Sequence, residues 1–545
     1  KTGVTLVSME TAGMWQQVGF LADAFAQFKK HGLSIDLVST SEMNVTVSLD
    51  PAANALEQET LTALVADLSG LCQARIIGPC ASVSLVGRNV RSVLPRLGPV
   101  LEVFEDKKIH LLSQAASDLN LSFVVDEGQA ERLVRRLHEL LFSDGAEDPR
   151  LGPTWKELEA GPAPSPPPGR TAWWRAERNA LLALCEERSP RYVYHGASLD
   201  LAVEDLRRIE AVDRFFFAVK ANYHPGVLKR FHDSGLGFEC VSPGELDHVF
   251  GLFPGLDPQR VLFTPNFAPR SEYELALSRG VHVTVDNLHP LEAWPELFEN
   301  REILLRLDPG QGRGHHAHVK TAGARSKFGI SWDQLDSLTG LIERAGARIE
   351  GLHAHTGSGI RTSHNWRETA LYLAEAAERF PGASILDLGG GLGVVERPGQ
   401  RALDLDAVNE SLALFREAYP RFSLWLEPGR FLVARAGALL ARVTQIKHKG
   451  DRTFVGVETG MNSLIRPALY GAWHQIVNLT RLDEPPTQVA DIVGPICESG
   501  DVLGNSRRIA PAQEGDVLLV ATGGAYGYAM SSRYNLREPA EEVLL

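Results

Sequence analysis

The sequence contains few cysteines, with five among its 545 residues. They stand at positions 72, 80, 185, 240 and 497, an odd and scattered set that is typical of a reducing compartment rather than of a disulfide framework. Apolar runs long enough to cross a bilayer are also missing, and so is a secretory leader. We therefore expect a cytoplasmic protein with no membrane partner.

Positive charge is in deficit as well. The formal net charge is −13, and no basic stripe is evident. This balance argues against a nucleic-acid partner and suits a protein that handles small cationic or zwitterionic molecules. The chain starts at Lys1 without an initiator methionine, within an apparent strand, so we expect a fragment of something longer.

A proline-rich segment divides the chain. Residues 161–169 read Gly-Pro-Ala-Pro-Ser-Pro-Pro-Pro-Gly, which favours an extended linker over a helix or a central strand. The length is typical of three or four domains. We predict regulatory domains over 1–145, the linker over 146–170, a barrel over 171–430 and a C-terminal β domain over 431–545, with the first strand after the linker able to join the β domain.

The barrel is predicted from strands that alternate with helical patterns. The strand-like segments are 192–195, 215–219, 236–241, 261–264, 281–285, 302–307, 350–355, 384–388 and 423–426. Such alternation indicates a (β/α)8 barrel with its site at the carboxyl ends of the strands. Beyond 431, Val-, Thr- and Leu-rich runs separated by turn residues favour a β-sandwich or β-barrel.

Lys220 is the main candidate for chemistry. It ends the apolar, strand-like run Phe-Phe-Ala-Val-Lys-Ala-Asn at 216–222. An amine desolvated at the mouth of a sheet can lose its proton and condense with an aldehyde. The alternative for a lysine by itself is a solvated surface residue after a buried strand.

Further motifs supply other parts of a pyridoxal phosphate site. Gly389, Gly390 and Gly391 follow an apolar strand, and backbone without Cβ atoms can approach a phosphate closely. Glu427, in Glu-Pro-Gly-Arg, could keep the pyridine nitrogen protonated. His353 and His355 fit alternate positions on a strand, so only one of them need face the site; a metal is the lesser alternative, and we predict none. His315, His316 and His318, in a Gly-rich stretch, are interpreted as a loop over the site.

These motifs resemble those of diaminopimelate decarboxylase, in the alanine racemase and ornithine decarboxylase fold group. The resemblance spans 171–545 and includes Phe-Ala-Val-Lys-Ala-Asn (217–222), Glu-Cys-Val-Ser-Pro-Gly-Glu-Leu (239–246), Ser-Lys-Phe-Gly-Ile (326–330) and Cys-Glu-Ser-Gly-Asp (497–501). It implies pyridoxal 5'-phosphate as cofactor, meso-diaminopimelate as substrate, and L-lysine and CO2 as products. Thr356 departs from the β-branched apolar residue more usual there.

The resemblance also implies roles for individual residues. Lys220, His355, Glu427 and Cys497 would be catalytic, with His355 stacked on the cofactor ring and Cys497 reaching the site of a neighbouring subunit. The remaining cofactor contacts would come from Ser358, the glycine triplet, Gly429, Arg430 and Tyr526. The substrate's distal amino acid head would meet Arg430, Arg466, Tyr470, Glu498 and Tyr526, because guanidinium forks match a carboxylate and Glu498 can accept from an ammonium. A homodimer with shared sites is expected.

The first 145 residues contain an internal echo. The stretch from Asp36 to Val47 and the stretch from His110 to Phe123 each comprise an apolar strand, a polar turn and an alternating strand. Val18, Leu21, Phe25 and Phe28 recur at helical spacing before Gly32, while Pro95 interrupts the helical spacing of the second copy. The predicted unit is strand, helix, strand, strand, helix, strand.

That order resembles the paired ACT domains of aspartokinases. The resemblance implies an allosteric lysine site, whose candidate residues are Met14, Phe20, Leu21, Ser34, Asp36, Thr40, Ser41 and Glu42. Asp36 and Glu42 could balance the ammonium groups of lysine, although Met14, Phe20 and Leu21 could equally be core residues. Aspartokinase catalytic motifs are missing, so we expect this part to serve a kinase domain fused upstream of Lys1.

The sequence is also compatible with two other functions. A different decarboxylase or a racemase of the same fold would keep Lys220 and the glycines but should lack the set Arg466, Tyr470 and Glu498. Alternatively, the chain could be chiefly a lysine-binding regulatory module, in which the ACT pair is functional and the barrel is present but inactive.

Overall fold

The computed structural model divides into two compact units, Lys1–Ser165 and Pro166–Leu545. It describes residues 1–11, 18–41, 43–54, 56–86, 109–114, 120–131, 133–134, 137, 172–310, 326–397, 400–450 and 452–545. The predicted linker and the predicted loop with His315, His316 and His318 lie outside the described residues. None of the helices in the described ranges combines the length and apolarity needed to span a bilayer.

The first unit is an antiparallel sheet with helices. Its strands are β1 Val4–Glu10, β2 Ile35–Thr40, β3 Asn44–Leu49, β4 Gln73–Val86, β5 Ile109–Gln114 and β6 Asn120–Asp126, and its long described helices are α1 Phe20–Lys30 and α2 Gln58–Leu68. The strand order is β2-β3-β1-β4-β6-β5. The sequence β1-α1-β2-β3-α2-β4 with this order is ferredoxin-like, which confirms the predicted ACT fold.

Strand β4 joins the two copies of the echo. It is 14 residues long, and its first half pairs with β1 while its second half pairs with β6. The hairpins β2–β3 and β5–β6 are the two echoed segments. The helix predicted for the second copy lies outside the described residues.

The buried face of α1 differs from the predicted one. Phe20, Ala24 and Phe28 are buried at a spacing of four, whereas Val18 is fully exposed and Leu21 is 42% exposed. The helix begins at Phe20 and therefore presents the stripe defined by that residue to the sheet. Gly32 adopts a φ of 68° just beyond the helix, as a C-terminal stop requires.

In the second unit, three elements precede the barrel: α3 Trp173–Ala176, α4 Arg178–Glu187 and β7 Arg191–Tyr194. Eight parallel strands then close on themselves, β8 Arg214–Ala218, β9 Gly237–Cys240, β10 Val261–Phe263, β11 His282–Val285, β12 Glu302–Arg306, β13 Arg348–His353, β14 Ile385–Asp387 and β15 Ser423–Leu426. The accompanying helices are α5 Gly196–Leu206, α6 Pro225–Asp233, α7 Pro243–Leu252, α8 Arg270–Arg279, α9 His289–Ala293, α10 Leu335–Ala345, α11 Asn365–Ala376, α12 Leu405–Ala418 and α13 Arg430–Val433. The predicted barrel is confirmed.

The barrel interior changes from apolar to polar along the strands. Phe216, Leu262, Leu304 and Trp425 form a buried cluster at the middle of their strands. The carboxyl ends instead carry buried polar groups, namely Glu239, Arg306, His353, Asp387 and Glu427. Buried charges need partners, so this end of the barrel is where a polar ligand fits.

The chain closes with a β domain. Its elements are β16 Gly437–Lys449, β17 Arg452–Val457, α14 Arg466–Tyr470, β18 Ile476–Asn478, β19 Gln488–Val493, β20 Val502–Ile509, β21 Val517–Val520 and β22 Glu541–Leu544. Strand β7 pairs with β16 and with β22, so the first strand after the linker belongs to this sheet and not to the barrel.

Candidate active site at the mouth of the barrel

Lys220 lies just beyond the carboxyl end of β8, in the turn Val219–Ala221. Its Nζ donates a hydrogen bond of 2.5 Å to Oε2 of the fully buried Glu239. Burial alone would lower the pKa of Lys220, but Glu239 and then Glu427 raise it above the ordinary value. The lysine is therefore an ammonium in this structure, which corrects the predicted neutral amine. The carboxylates come from other strands, which the local sequence does not reveal.

Glu239 was missed as a site residue by the sequence reasoning. It accepts a second hydrogen bond from the Thr264 hydroxyl, at the end of the next strand. A carboxylate inside the otherwise apolar strand Gly-Phe-Glu-Cys was the available signal, because a fully buried acid requires a cationic or hydrogen-bonding partner.

Glu427 belongs to a buried cluster with His353 and Asp387, whose ligand-type atoms lie within 4.8 Å of one another. His353 Nε2 lies 3.6 Å from Glu427 Oε2. Burial alone would raise the pKa of Glu427, but His353 and then Lys220 lower it below its usual range. Burial and the neighbouring Glu427 raise the pKa of Asp387 well above its usual range. Asp387 thus holds a proton beside an ionised Glu427.

This cluster also bears on the His-x-His motif. The metal alternative was set aside because no acid stands at ligand spacing in the sequence, yet the fold brings two acids beside His353. His355, the other histidine, is not a member of that cluster and accepts a 3.1 Å hydrogen bond from the Gly390 N–H through Nδ1. Burial and then Arg306 lower the pKa of His355 to about 3, so the ring is neutral with its proton on Nε2.

The glycine triplet packs too closely for side chains. A Cβ would lie 2.6 Å from His355 Nδ1 at Gly389, 2.3 Å from the Glu427 carbonyl at Gly390 and 2.5 Å from the Gly357 carbonyl at Gly391. The N–H groups of Gly389 and Gly390 already donate to Asp387 and His355. A phosphate would therefore have to use the Gly391 N–H. Of the three glycines predicted to bind the phosphate, only Gly391 would then offer its backbone N–H.

Arg430 and Tyr526 line the same mouth. Arg430 starts α13 and donates from Nε and Nη2 to Ser358 Oγ, at 3.3 Å each. Its guanidinium lies 5.3 Å from the centre of the Tyr526 ring. The Tyr526 N–H donates to the Ala221 carbonyl at 2.8 Å, and its φ of 57° is unusual for a bulky residue. At Gly429 a Cβ would lie 3.4 Å from the Tyr526 hydroxyl.

Arg466 is buried at the start of α14, and its Nη2 lies 3.5 Å from Glu396 Oε1. Arg430 Nη1 donates to the same carboxylate oxygen at 3.2 Å. Burial and then Arg430 lower the pKa of Arg466 to about 10, which leaves it charged at neutral pH. Tyr470, half-buried, ends the same helix. The fold therefore brings the two predicted arginines together, around a carboxylate that the sequence reasoning missed.

Cys497 and Glu498 are both exposed. Their loop is fixed from beneath by the buried Asp501, which accepts from the backbone N–H groups of Met461 and Ile496 at 2.6 and 2.7 Å. The Cys497 N–H donates to Asn535 Oδ1 at 2.7 Å. Within one chain these two side chains thus face outward from an ordered loop.

The predicted lysine-site residues of the first unit fall into three groups. Phe20 is 2% exposed and belongs to the core, in line with the core alternative left open for it. Leu21, Ser34, Asp36, Thr40 and Ser41 are exposed, and Asp36 accepts from Lys1 Nζ at 2.9 Å. Met14 and Glu42 lie outside the described residues.

The residues at the barrel mouth fit pyridoxal phosphate. Glu427 Oε1 is a buried oxygen of an ionised carboxylate and accepts no hydrogen bond from any described residue. A ring nitrogen that carries a proton would supply such a donor. The glycine turn carries no Cβ atoms beside His355 and the Glu427 carbonyl, and Lys220 would provide the amine that the aldehyde needs.

Two family models match the chain. The model of the pyridoxal-dependent decarboxylase, pyridoxal binding domain, matches residues 202–434, and a model of the ACT domain matches residues 83–141. The first range holds most of the barrel, and much of the second lies outside the described residues.

Curated relatives extend the match beyond the barrel. Diaminopimelate decarboxylase of Methanothermobacter thermautotrophicus is 36% identical over 342 residues, which cover 61% of this chain and 79% of that protein. The Pseudomonas aeruginosa protein of the same name is 37% identical over 384 residues, which cover 68% of this chain and 91% of that protein.

Solved structures agree with this match. Diaminopimelate decarboxylase from Helicobacter pylori, complexed with L-lysine, superposes with a TM-score of 0.62 at 26% identity and covers 67% of this chain and 94% of that chain. Another diaminopimelate decarboxylase structure gives a TM-score of 0.63 at 31% identity, with coverage of 68% and 91%.

Proposed function

Because the chain belongs to the diaminopimelate decarboxylase family, we propose that it converts meso-2,6-diaminopimelate to L-lysine and CO2 with pyridoxal 5'-phosphate. One observation carries the proposal from this chain's own geometry. Tyr526 connects the two halves of the required site: its N–H donates to the carbonyl of Ala221, the residue after Lys220, at 2.8 Å, and its ring lies 5.3 Å from the Arg430 guanidinium, which shares Glu396 with Arg466. This chain of contacts supports a site in which an imine-forming amine and a pair of carboxylate-binding guanidiniums lie near one another.

Pyridoxal phosphate, when bound, accepts the electron pair that the departing carboxylate leaves behind. Glu427 would hold a proton at the ring nitrogen, and the buried His353 keeps Glu427 ionised for that task. Ser358, Arg430 and the Gly391 N–H would bind the phosphate. Lys220 would supply the amine once it has lost its proton. Glu239 and Glu427 raise the pKa of Lys220, so the effect of these two carboxylates on the lysine must be offset when the cofactor binds.

Substrate choice rests on the distal amino acid head. Arg430 and Arg466 present two guanidiniums toward one carboxylate position, which Glu396 occupies in this structure. A diamino monoacid has no distal carboxylate with which to replace Glu396 beside the two arginines, so it forgoes that charge pairing and is disfavoured. Tyr470 would add a hydroxyl and Glu498 an acceptor for the distal ammonium.

We propose that Cys497 and Glu498 act in the site of a second copy of the chain. Both are exposed on an ordered loop, and Leu536, next to the Asn535 that binds the Cys497 backbone, is 95% exposed. An apolar side chain held in solvent at a φ of 57° favours a contact surface. The active species would be a homodimer, in a reducing cytoplasm that keeps Cys497 a thiol.

The first unit is proposed to bind L-lysine as a feedback signal. The exposed Asp36 on the edge strand β2 is the described residue best suited to an ammonium group. The resemblance to aspartokinase ACT pairs supports the further proposal that this unit serves a fused aspartokinase.

The test adds pyridoxal phosphate and meso-diaminopimelate to the wild-type chain and to Lys220→Ala, and measures lysine. We expect lysine and CO2 from the wild type, none from the variant, and a pyridoxyl tag on Lys220 after borohydride reduction and peptide mapping. A racemised amino acid would instead support a racemase. Calorimetric lysine binding without any turnover or tag would support a regulatory module with an inactive barrel.

A further inference from the structure

His474 is a buried histidine that none of the predicted roles uses. It is 1% exposed and follows α14, the short helix that begins with Arg466. Gly471, with a φ of 61°, ends that helix and turns the chain back. As a result His474, eight residues after Arg466, lies against the Arg466 guanidinium.

Both ring nitrogens of His474 have defined partners. Nδ1 lies 3.0 Å from the Ala521 carbonyl oxygen, and Nε2 lies 3.3 Å from Arg466 Nη1. A carbonyl oxygen can only accept, so Nδ1 carries the proton and Nε2 offers its lone pair. Arg466 can only donate, so the two bonds are mutually consistent in this one tautomer.

The ring stays in that form across the working pH range. Burial and then Arg466 lower the pKa of His474 to about 3. A protonated ring would place a second cation against Arg466 and would lose the acceptor.

Arg466 is thereby held on two sides. His474 binds Nη1 from the β-domain side, and Glu396 lies 3.5 Å from Nη2. The Ala521 anchor lies directly after β21, three residues before the loop Gly524–Tyr526 that lines the site, so the support is built on the sheet rather than on a surface loop.

We propose that His474 is a positioning residue that orients Arg466 toward the distal carboxylate of the substrate. The inference rests on the proposed function. A planar fork must point its N–H groups correctly to pair with a carboxylate, and a guanidinium free to rotate pairs less well. Loss of the His474 bond therefore weakens ligands that carry the distal carboxylate and spares the chemical step.

Two near-isosteric variants separate the two bonds of His474. His474→Asn can keep the bond to Ala521 but is too short to reach Arg466. His474→Gln can place an amide oxygen near the position of Nε2 and so keep the acceptor for Arg466. His282→Gln is the matched control, because His282 is also buried but pairs with Glu350 at the amino end of the barrel.

The measurements are KM and kcat for meso-diaminopimelate, and the inhibition constants of L-lysine and of 1,5-diaminopentane. For His474→Asn we expect KM and the lysine constant to rise together by about ten- to a hundredfold, the typical effect of one lost hydrogen bond to a charged group. kcat should change by less than about threefold, and the diaminopentane constant should not change, since that amine has no carboxylate. His474→Gln should restore most of the affinity, and His282→Gln should keep the wild-type KM.

Three results would contradict the role proposed for His474. An active wild type with an unchanged KM in His474→Asn would overturn this inference alone. Equal losses in the Asn and Gln variants, accompanied by loss of cofactor absorbance and a lower melting temperature, would indicate a purely structural role and would also overturn it. A wild type that forms no lysine would overturn the proposed function, and this inference with it.

Discussion

Glu427 and Asp387 show how a single proton can be placed by burial. Two carboxyl groups at this distance cannot both ionise cheaply in a site closed to water. His353 lies beside Glu427 and favours the charge there, so Asp387 keeps the proton. The same pair therefore presents a carboxylate on one side and a neutral donor on the other.

This arrangement predicts unequal effects of two conservative substitutions. Glu427→Gln removes the charge that would hold the ring nitrogen protonated, so kcat should fall by about a hundredfold or more. Asp387→Asn should cost less than about tenfold, because an amide can still accept from the Gly389 N–H and donate toward Glu427. Steady-state rates with saturating pyridoxal phosphate test both, and equal losses in the two variants would contradict the assigned proton position.

At the scale of elements, the last strand, β22, lies beside β7 and carries a carboxyl group with a shifted pKa. Tyr194 on β7 donates to Glu542 Oε1 at 2.6 Å. Burial raises the pKa of Glu542 from its ordinary 4.5 to about 7. The folded state therefore binds this proton more tightly than the unfolded state, and the stability contributed by the neutral form is lost as pH rises from about 4.5 to 7.

Glu542→Gln should remove the loss of stability between about pH 4.5 and 7, because the amide stays neutral and still accepts a hydrogen bond from Tyr194. Its free energy of unfolding should match the wild type near pH 4.5 and exceed it above pH 7, by no more than about 3 kcal/mol. Denaturant unfolding at pH 5 and pH 8 measures the difference. A stabilisation that is the same at both pH values would show that Glu542 does not titrate in this window.

At the scale of the whole molecule, the exposed loop with Cys497 raises the question of assembly. Leu536 is 95% exposed beside it, whereas Leu414 on α12 is 55% exposed on the outside of the barrel. If a second copy of the chain covers Leu536 but not Leu414, a charged residue will weaken self-association at position 536 and not at position 414.

Leu536→Glu should weaken self-association and lower the activity per chain at dilute concentrations, since a buried charge at an interface is costly. Leu414→Glu should leave both unchanged. Light scattering at the assay concentration, paired with turnover, gives the comparison. A wild-type monomer with full turnover would contradict the shared site.

Much of the second unit could be predicted from the sequence. Strand positions from β8 to β15 agree to within about two residues, because a parallel barrel reads as short apolar runs set off by turns. For helix α1 the predicted stripe was right at Phe25 and Phe28 but wrong at Val18 and Leu21, because several apolar residues near the start satisfied the same spacing and only packing against the sheet chose between them.

The local sequence by itself determined which residues the proposed function uses: a lysine after an apolar strand, three glycines in a turn, an acid and two arginines in their motifs. It could not determine their charge states or their supports. Glu239 on Lys220, Asp387 beside Glu427 and Glu396 beside Arg466 come from other elements of the fold, and His474 reaches Arg466 only because the chain turns back after α14. Those pairings were decided only by the tertiary structure, because closing the barrel and docking the β domain bring together, away from water, groups that the chain keeps far apart.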